Sequence, residues 1–121
     1  MIGNIVRAAM LGCIVAATAP VAATAGTAYD GPWSLTINTQ RGSCDATYYF
    51  QVQIYNGIVS HANLVKFKGR VVPSGFVRVS VSASGKTAAG TGRLNRTSGS
   101  GRWTGSSGSD RCSGTWTAQK M

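Results

Sequence analysis

The chain contains no glutamate, three aspartates and a single histidine. That scarcity excludes most ways of building an acid–base pair or a metal site from side chains. Charged residues make up 12% of its 121 residues, too few for a coiled coil or a solvated charge tract. Proline occurs three times and cysteine three times. No segment carries apolar residues at helical spacing between capping residues, so no amphipathic helix is expected. The length suits one domain and falls short of two ordinary ones. What is abundant is glycine, with 16 residues, and positive charge, with twelve Lys and Arg giving a formal net charge of +9.

The first 25 residues read as an address. Met1 to Arg7 is short and positive, Ala8 to Ala19 is apolar, and Pro20 breaks the run. Ala23-Thr24-Ala25 supplies the small residues a signal peptidase reads, so an export signal over 1–25 is expected. Cleavage follows Ala25 or, three residues on, Ala28. The apolar stretch is too short for a bilayer anchor, which needs about 20 residues. Met10-Leu11-Gly12-Cys13 loosely resembles a lipoprotein signal, but Arg7 leaves almost no apolar run before Cys13. Residues 26–121 then form a single domain of charge about +8, periplasmic or secreted.

Cys13 departs with the signal and leaves Cys44 and Cys112. An exported chain meets an oxidising compartment, where an even cysteine count reads as a disulfide. Two cysteines allow one pairing, Cys44 with Cys112. No second cysteine or histidine sits at metal-ligand spacing beside either.

Period-two alternation runs through the remainder. Trp33, Leu35 and Ile37 alternate with Ser34, Thr36 and Asn38. Tyr48, Phe50, Val52 and Ile54 alternate with polar residues and with outward Tyr49 and Tyr55. Asn56-Gly57 follows, the strongest short hairpin signal, because both central turn residues need positive φ. Val65, Phe67, Gly69 and Val71 alternate with Lys66, Lys68 and Arg70. Val77, Val79 and Val81 continue after the Pro73-Ser74-Gly75 turn, and Ser84-Gly85 turns the chain again.

The last third is rich in Gly, Ser and Thr, a composition shared with flexible linkers. Its alternation says otherwise. Gly90, Gly92 and Leu94 share one parity, as do Gly101 and Trp103, and Gly114, Trp116 and Ala118. Gly-x-Trp occurs at Gly31, Gly101 and Gly114, which predicts indoles packed where glycine leaves room. Spacings of 70 and 13 residues between these motifs exclude a solenoid repeat.

About eight short strands joined by tight turns predict an all-β fold, a small antiparallel up-and-down barrel closed by its first and last strands. A β-sandwich is the alternative. The expected interior set is Trp33, Leu35, Ile37, Phe50, Val52, Ile54, Phe67, Val71, Val79, Leu94, Trp103 and Trp116. These are large residues for so short a chain, so a filled core is expected.

The Gly-x-Trp opening, the hairpin meander and the size resemble calycin-type barrels, the lipocalins and avidins. From about Asp30 the chain also resembles a group of small exported β-rich proteins of Gram-negative bacteria that carry loose labels of haem utilisation or adhesion. The resemblance rests on Trp33-Ser34-Leu35, Arg41-Gly42-x-Cys44-Asp45, Asn56-Gly57, Gly69-Arg70-Val71-x-Pro73-Ser74-Gly75, Gly92-Arg93-Leu94 and Cys112-Ser113-Gly114-x-Trp116. It supplies no active site to transfer, and no haem-ligand motif accompanies the label.

Catalytic readings find little support. A Ser/His/Asp triad would depend on His61, which sits beside a turn without a nucleophile elbow and reads as an exposed loop histidine. Ser84-Gly85-Lys86-Thr87 resembles the end of a phosphate loop but lacks its earlier glycine. Asn95-Arg96-Thr97 has the form of a glycosylation triplet and reads as a turn. Asp45 and Asp110 flank the expected disulfide and fall at one end of the molecule with Arg41 and Arg111. Paired carboxylates can cleave glycosides, but an arginine beside each favours a structural charge cluster, with a ligand-binding rim as the alternative. No enzyme and no cofactor are expected.

The basic face is the leading functional clue. Lys66, Lys68 and Arg70 share one strand face, and Arg78 on the next strand can join them. They form a row suited to anionic envelope lipid or polysaccharide. Nucleic acid would want stacking aromatics interleaved with this charge, which outward Tyr49 and Tyr55 on a neighbouring strand permit without requiring, but export favours an envelope polyanion over nucleic acid. The leading expectation is a non-catalytic, exported or envelope-associated binding module. The alternative is a barrel that carries a small apolar ligand.

Overall fold

The computed structural model describes residues 27–63 and 66–121. The export signal expected over 1–25 lies outside these residues. Eight strands follow one another: β1 (Gly31–Arg41), β2 (Thr47–Tyr55), β3 (Ile58–Ser60), β4 (Phe67–Val71), β5 (Phe76–Ala83), β6 (Lys86–Leu94), β7 (Ser98–Ser107) and β8 (Asp110–Lys120). Each pairs antiparallel with its chain neighbour, and β1 pairs with β8, so the sheet closes into a barrel. Closure removes the unpaired edges that a sandwich would expose. No helix among the described residues is long and apolar enough to cross a membrane.

Local chemistry sets the hairpins. Asn56 and Gly57 both take positive φ, 53° and 81°, and turn β2 directly into β3. Lys66 falls in the turn before β4 rather than on the strand, and Val65 lies outside the described residues. The Lys66 carbonyl still accepts the Ser82 amide at 3.2 Å, which keeps the turn beside β5.

The interior parity is the expected one, and the core is concentrated at one end. Trp33 is 1% exposed, and around it lie buried Val52, Ile54, Val71, Val77, Leu94 and Ala118. Tyr29, just before β1, plugs that end. Its carbonyl accepts the Trp33 indole N–H at 2.8 Å, and its hydroxyl donates to the Pro73 carbonyl at 3.0 Å.

Glycine makes room for tryptophan across strands rather than within each Gly-x-Trp motif. Gly101 pairs with Trp116, and Gly92 pairs with Gly101. A Cβ at Gly101 would lie 2.7 Å from the Trp116 ring and 2.7 Å from the Gly92 Cα. One indole therefore lies over two neighbouring backbones.

Candidate functional site

Antiparallel order places the amino end of β1 at the plugged end. The opposite end collects the loop after β1, the turn at His61 to Asn63, the Ser84-Gly85 hairpin and the turn before β8. There the inward residues Leu35, Ile37, Phe50, Phe67, Val79 and Ala88 are only half-buried. They line an internal cavity of about 540 Å³ that opens at this end. The expectation of a filled core is therefore corrected. The inward residues are the expected ones, but the fully buried group around Trp33 sits at the plugged end, while Leu35, Ile37, Phe50, Phe67 and Val79 nearer the mouth line the space without filling it. The inward positions of β6 and β7 further along hold Ala88, Gly90 and Gly105, which occupy little volume.

The lumen wall is apolar in its hydrogen bonding as well as its composition. The Trp103 indole N–H donates to the Asn38 carbonyl at 3.0 Å. The Trp116 indole N–H donates to the Thr91 carbonyl at 3.2 Å. With Trp33 bound to Tyr29, all three indoles are satisfied by backbone. Among the described residues the one buried side-chain polar atom without a partner is Asp30 Oδ1, just before β1 at the plugged end. A guest in the lumen therefore meets rings and aliphatic groups, and no buried donor waits for an acceptor.

The mouth has a definite construction. The disulfide joins Cys44 to Cys112 with Cα atoms 6.1 Å apart. The Cys44 amide donates to the Cys112 sulfur at 3.2 Å, and the Thr39 hydroxyl donates to the Asp45 carbonyl at 2.6 Å. Gly42 has φ of +95°, and a Cβ there would press on Cys112 at 2.8 Å. The loop after β1 is thus fastened to the start of β8, and Ser43, Cys44 and Asp45 line the opening.

Asp45 and Asp110 both reach this mouth. The expected charge cluster with Arg41 and Arg111 does not form: Asp110 instead accepts the Ser43 hydroxyl. The extended arginines sit on outward parity, so strand direction separates them from the inward carboxylates.

His61 is half-buried rather than exposed. Its ring stands 5.8 Å from Phe50, edge to face, and 5.9 Å from Phe67. Tyr48 stacks on Phe50 at 6.4 Å. The His61 Nδ1 accepts the Asn63 amide at 3.1 Å, so one ring nitrogen is spent on its own turn. Tyr48, Phe50 and Phe67 line the cavity, and His61 packs against the two phenylalanines.

Lys86 also lines the mouth. It shares the inward parity of Ala88 and Gly90, which simple counting along β6 could have shown.

The four residues of the expected cationic face are all exposed. Arg70 stands directly opposite Arg78, and Lys68 opposite Ser80, on the outer surface. The outward positions of β1 to β3 between Pro32 and Asn38 and between Thr47 and Ser60 carry no charge; exposed Tyr49, Tyr55 and Ile58 stand there instead. Among the described residues no group of three His, Cys, Asp or Glu side chains could hold a metal ion. Neither a family model, nor a curated protein, nor a solved structure matches the chain.

Proposed function

We propose that this protein is a non-catalytic carrier that holds a small apolar ligand inside the barrel. The observation that carries the reading is the cavity of about 540 Å³, lined by apolar side chains and open at one end. Ligand pockets fall within about 300–1,000 Å³. Satisfied indoles favour a guest without many polar groups, because a buried polar group left unpaired costs about 1–3 kcal/mol. The disulfide is compatible with export, and residues 1–25 have the form of an export signal.

The test is titration with the neutral fluorophore N-phenyl-1-naphthylamine. Binding in the lumen should raise its emission and quench tryptophan, since Trp103 and Trp116 lie in the wall. Ala88→Phe should fill the lumen and abolish the signal while circular dichroism stays unchanged. Equal signal from Ala88→Phe would place the probe elsewhere and defeat the carrier reading.

A second reading is supported by the segregation of charge. The outer face holding Lys66, Lys68, Arg70 and Arg78 suits an anionic envelope lipid or polysaccharide. Such binding should fade as salt shortens the Debye length from about 10 Å at 0.1 M to about 3 Å at 1 M.

A further inference from the structure

The strand register aligns a continuous line of outward residues. Lys68 pairs with Ser80, Ser80 with Ala89, Ala89 with Thr104, Thr104 with Ser113, and Ser113 with Arg41. A second line runs beside it through Ser82, Thr87, Ser106 and Arg111. Cations stand at both ends of these lines, Lys66 and Lys68 on one side and Arg41 and Arg111 on the other. Between them every outward side chain is a hydroxyl or a methyl. Together with Val81, Ala88, Gly105 and Cys112 these residues line a shallow groove of about 970 Å³, and their outward side chains lie across the sheet from the lumen.

We propose that this groove binds a linear acidic polysaccharide, sulfated or carboxylated, laid across the strands. The proposal rests on the cationic reading above and narrows its partner. Three observations favour that occupant. First, the line from Lys68 to Arg41 crosses five strand spacings, about 24 Å at about 4.8 Å each. It therefore offers charge at two separated points rather than in one cluster. Second, it follows six of the eight strands around a closed barrel. A flat bilayer touches one side of such a cylinder, whereas a flexible chain can follow its curve. Third, the floor is lined by small hydroxyl side chains, including Thr87 and Ser106, whose oxygens lie 3.1 Å apart. Hydroxyls match the hydrogen-bonding groups of a sugar chain. No aromatic residue lines the groove, so nothing there stacks on a nucleobase.

None of the described cations is engaged in an ion pair. Arg93, away from the groove, donates to the Ser74 carbonyl. Groove cations are thus available without first breaking an internal contact.

The experiment measures affinity of the whole exported chain for polygalacturonate and dextran sulfate at 50 mM salt. Parallel measurements use vesicles of phosphatidylglycerol and phosphatidylcholine. Two triple variants separate the groove from net charge: Arg41→Gln with Lys68→Gln and Arg111→Gln, against Arg93→Gln with Arg96→Gln and Lys120→Gln. Exposed charge contacts are individually modest, so the groove triple should weaken polysaccharide binding by about ten-fold and the control triple by about two-fold. Ala89→Trp keeps the charge but raises a ring in the middle of the groove. It should weaken polysaccharide binding by a similar factor, and circular dichroism will report that the exposed position tolerates the ring. Equal losses from both triples, or no loss from Ala89→Trp, would overturn the groove and leave only a net-charge effect. Tighter binding to vesicles than to either polysaccharide would overturn the choice of partner. Absence of binding to polysaccharides and vesicles alike would remove the cationic reading itself.

Discussion

Replacing both cysteines, Cys44→Ala with Cys112→Ala, probes how the barrel is held closed. The bridge spans a sequence separation of 68 and joins the loop after β1 to β8, at the seam where the first and last strands meet. In the unfolded chain it therefore ties together two points with almost the whole sheet between them. The loop-entropy relation gives about 4 kcal/mol at 25 °C for a loop of this size. A domain of this length is stable by about 5–15 kcal/mol, so the loss removes a large share of the total. The native state gives up little in exchange. The Cys44 amide loses its sulfur acceptor, and the loop is still held by the Thr39 hydroxyl and by Ser43 on Asp110. Urea unfolding followed by tryptophan fluorescence measures the effect. With a slope of about 1–2 kcal/mol per molar, the midpoint should fall by roughly 2–4 M. The slope itself should be smaller with the bridge intact, because a crosslinked unfolded chain exposes less surface. A midpoint shift below about 0.5 M would refute the reasoning, since the bridge would then constrain an ensemble already compact at that seam.

Gly101→Ala should destabilise the fold by about 1–3 kcal/mol, because its Cβ meets the Trp116 ring and the neighbouring backbone, neither of which can swing aside. The same urea assay reads this, and wild-type stability would show that the indole has room to move. Arg70→Thr removes a like charge directly opposite Arg78. It should raise the melting temperature slightly at low salt, and the gain should vanish near 1 M salt. A gain that persists at high salt would point to strand propensity instead.

The amino-acid sequence by itself determined the number of strands, the inward parity of all but the three-residue β3, whose buried Val59 it left unassigned, and the cysteine pair. These follow from local rules: alternation assigns faces, Asn56-Gly57 and Ser84-Gly85 fix tight turns, and two cysteines leave one pairing. Closure was legible too, because eight consecutive hairpin-linked strands leave two edges that satisfy each other. The tertiary structure alone decided how the interior volume is distributed along the barrel. Parity names the residues that point inward but not their height on the axis, and height depends on strand tilt and register. Trp33, Leu94 and Val77 share one level at the plugged end, while Ala88, Gly90 and Gly105 lie nearer the mouth, so a cavity remains in a chain with enough bulk to fill one. The partner of each glycine was hidden for the same reason, since Gly101 accommodates Trp116 only through cross-strand register. His61 illustrates the limit most simply: its sequence neighbours Ser60 and Ala62 announce no aromatic contact, yet the barrel brings Phe50 and Phe67 against its ring. The outer groove has the same origin, for Lys68 and Arg41 lie 27 positions apart in the chain and fall on one line only after six strands have paired.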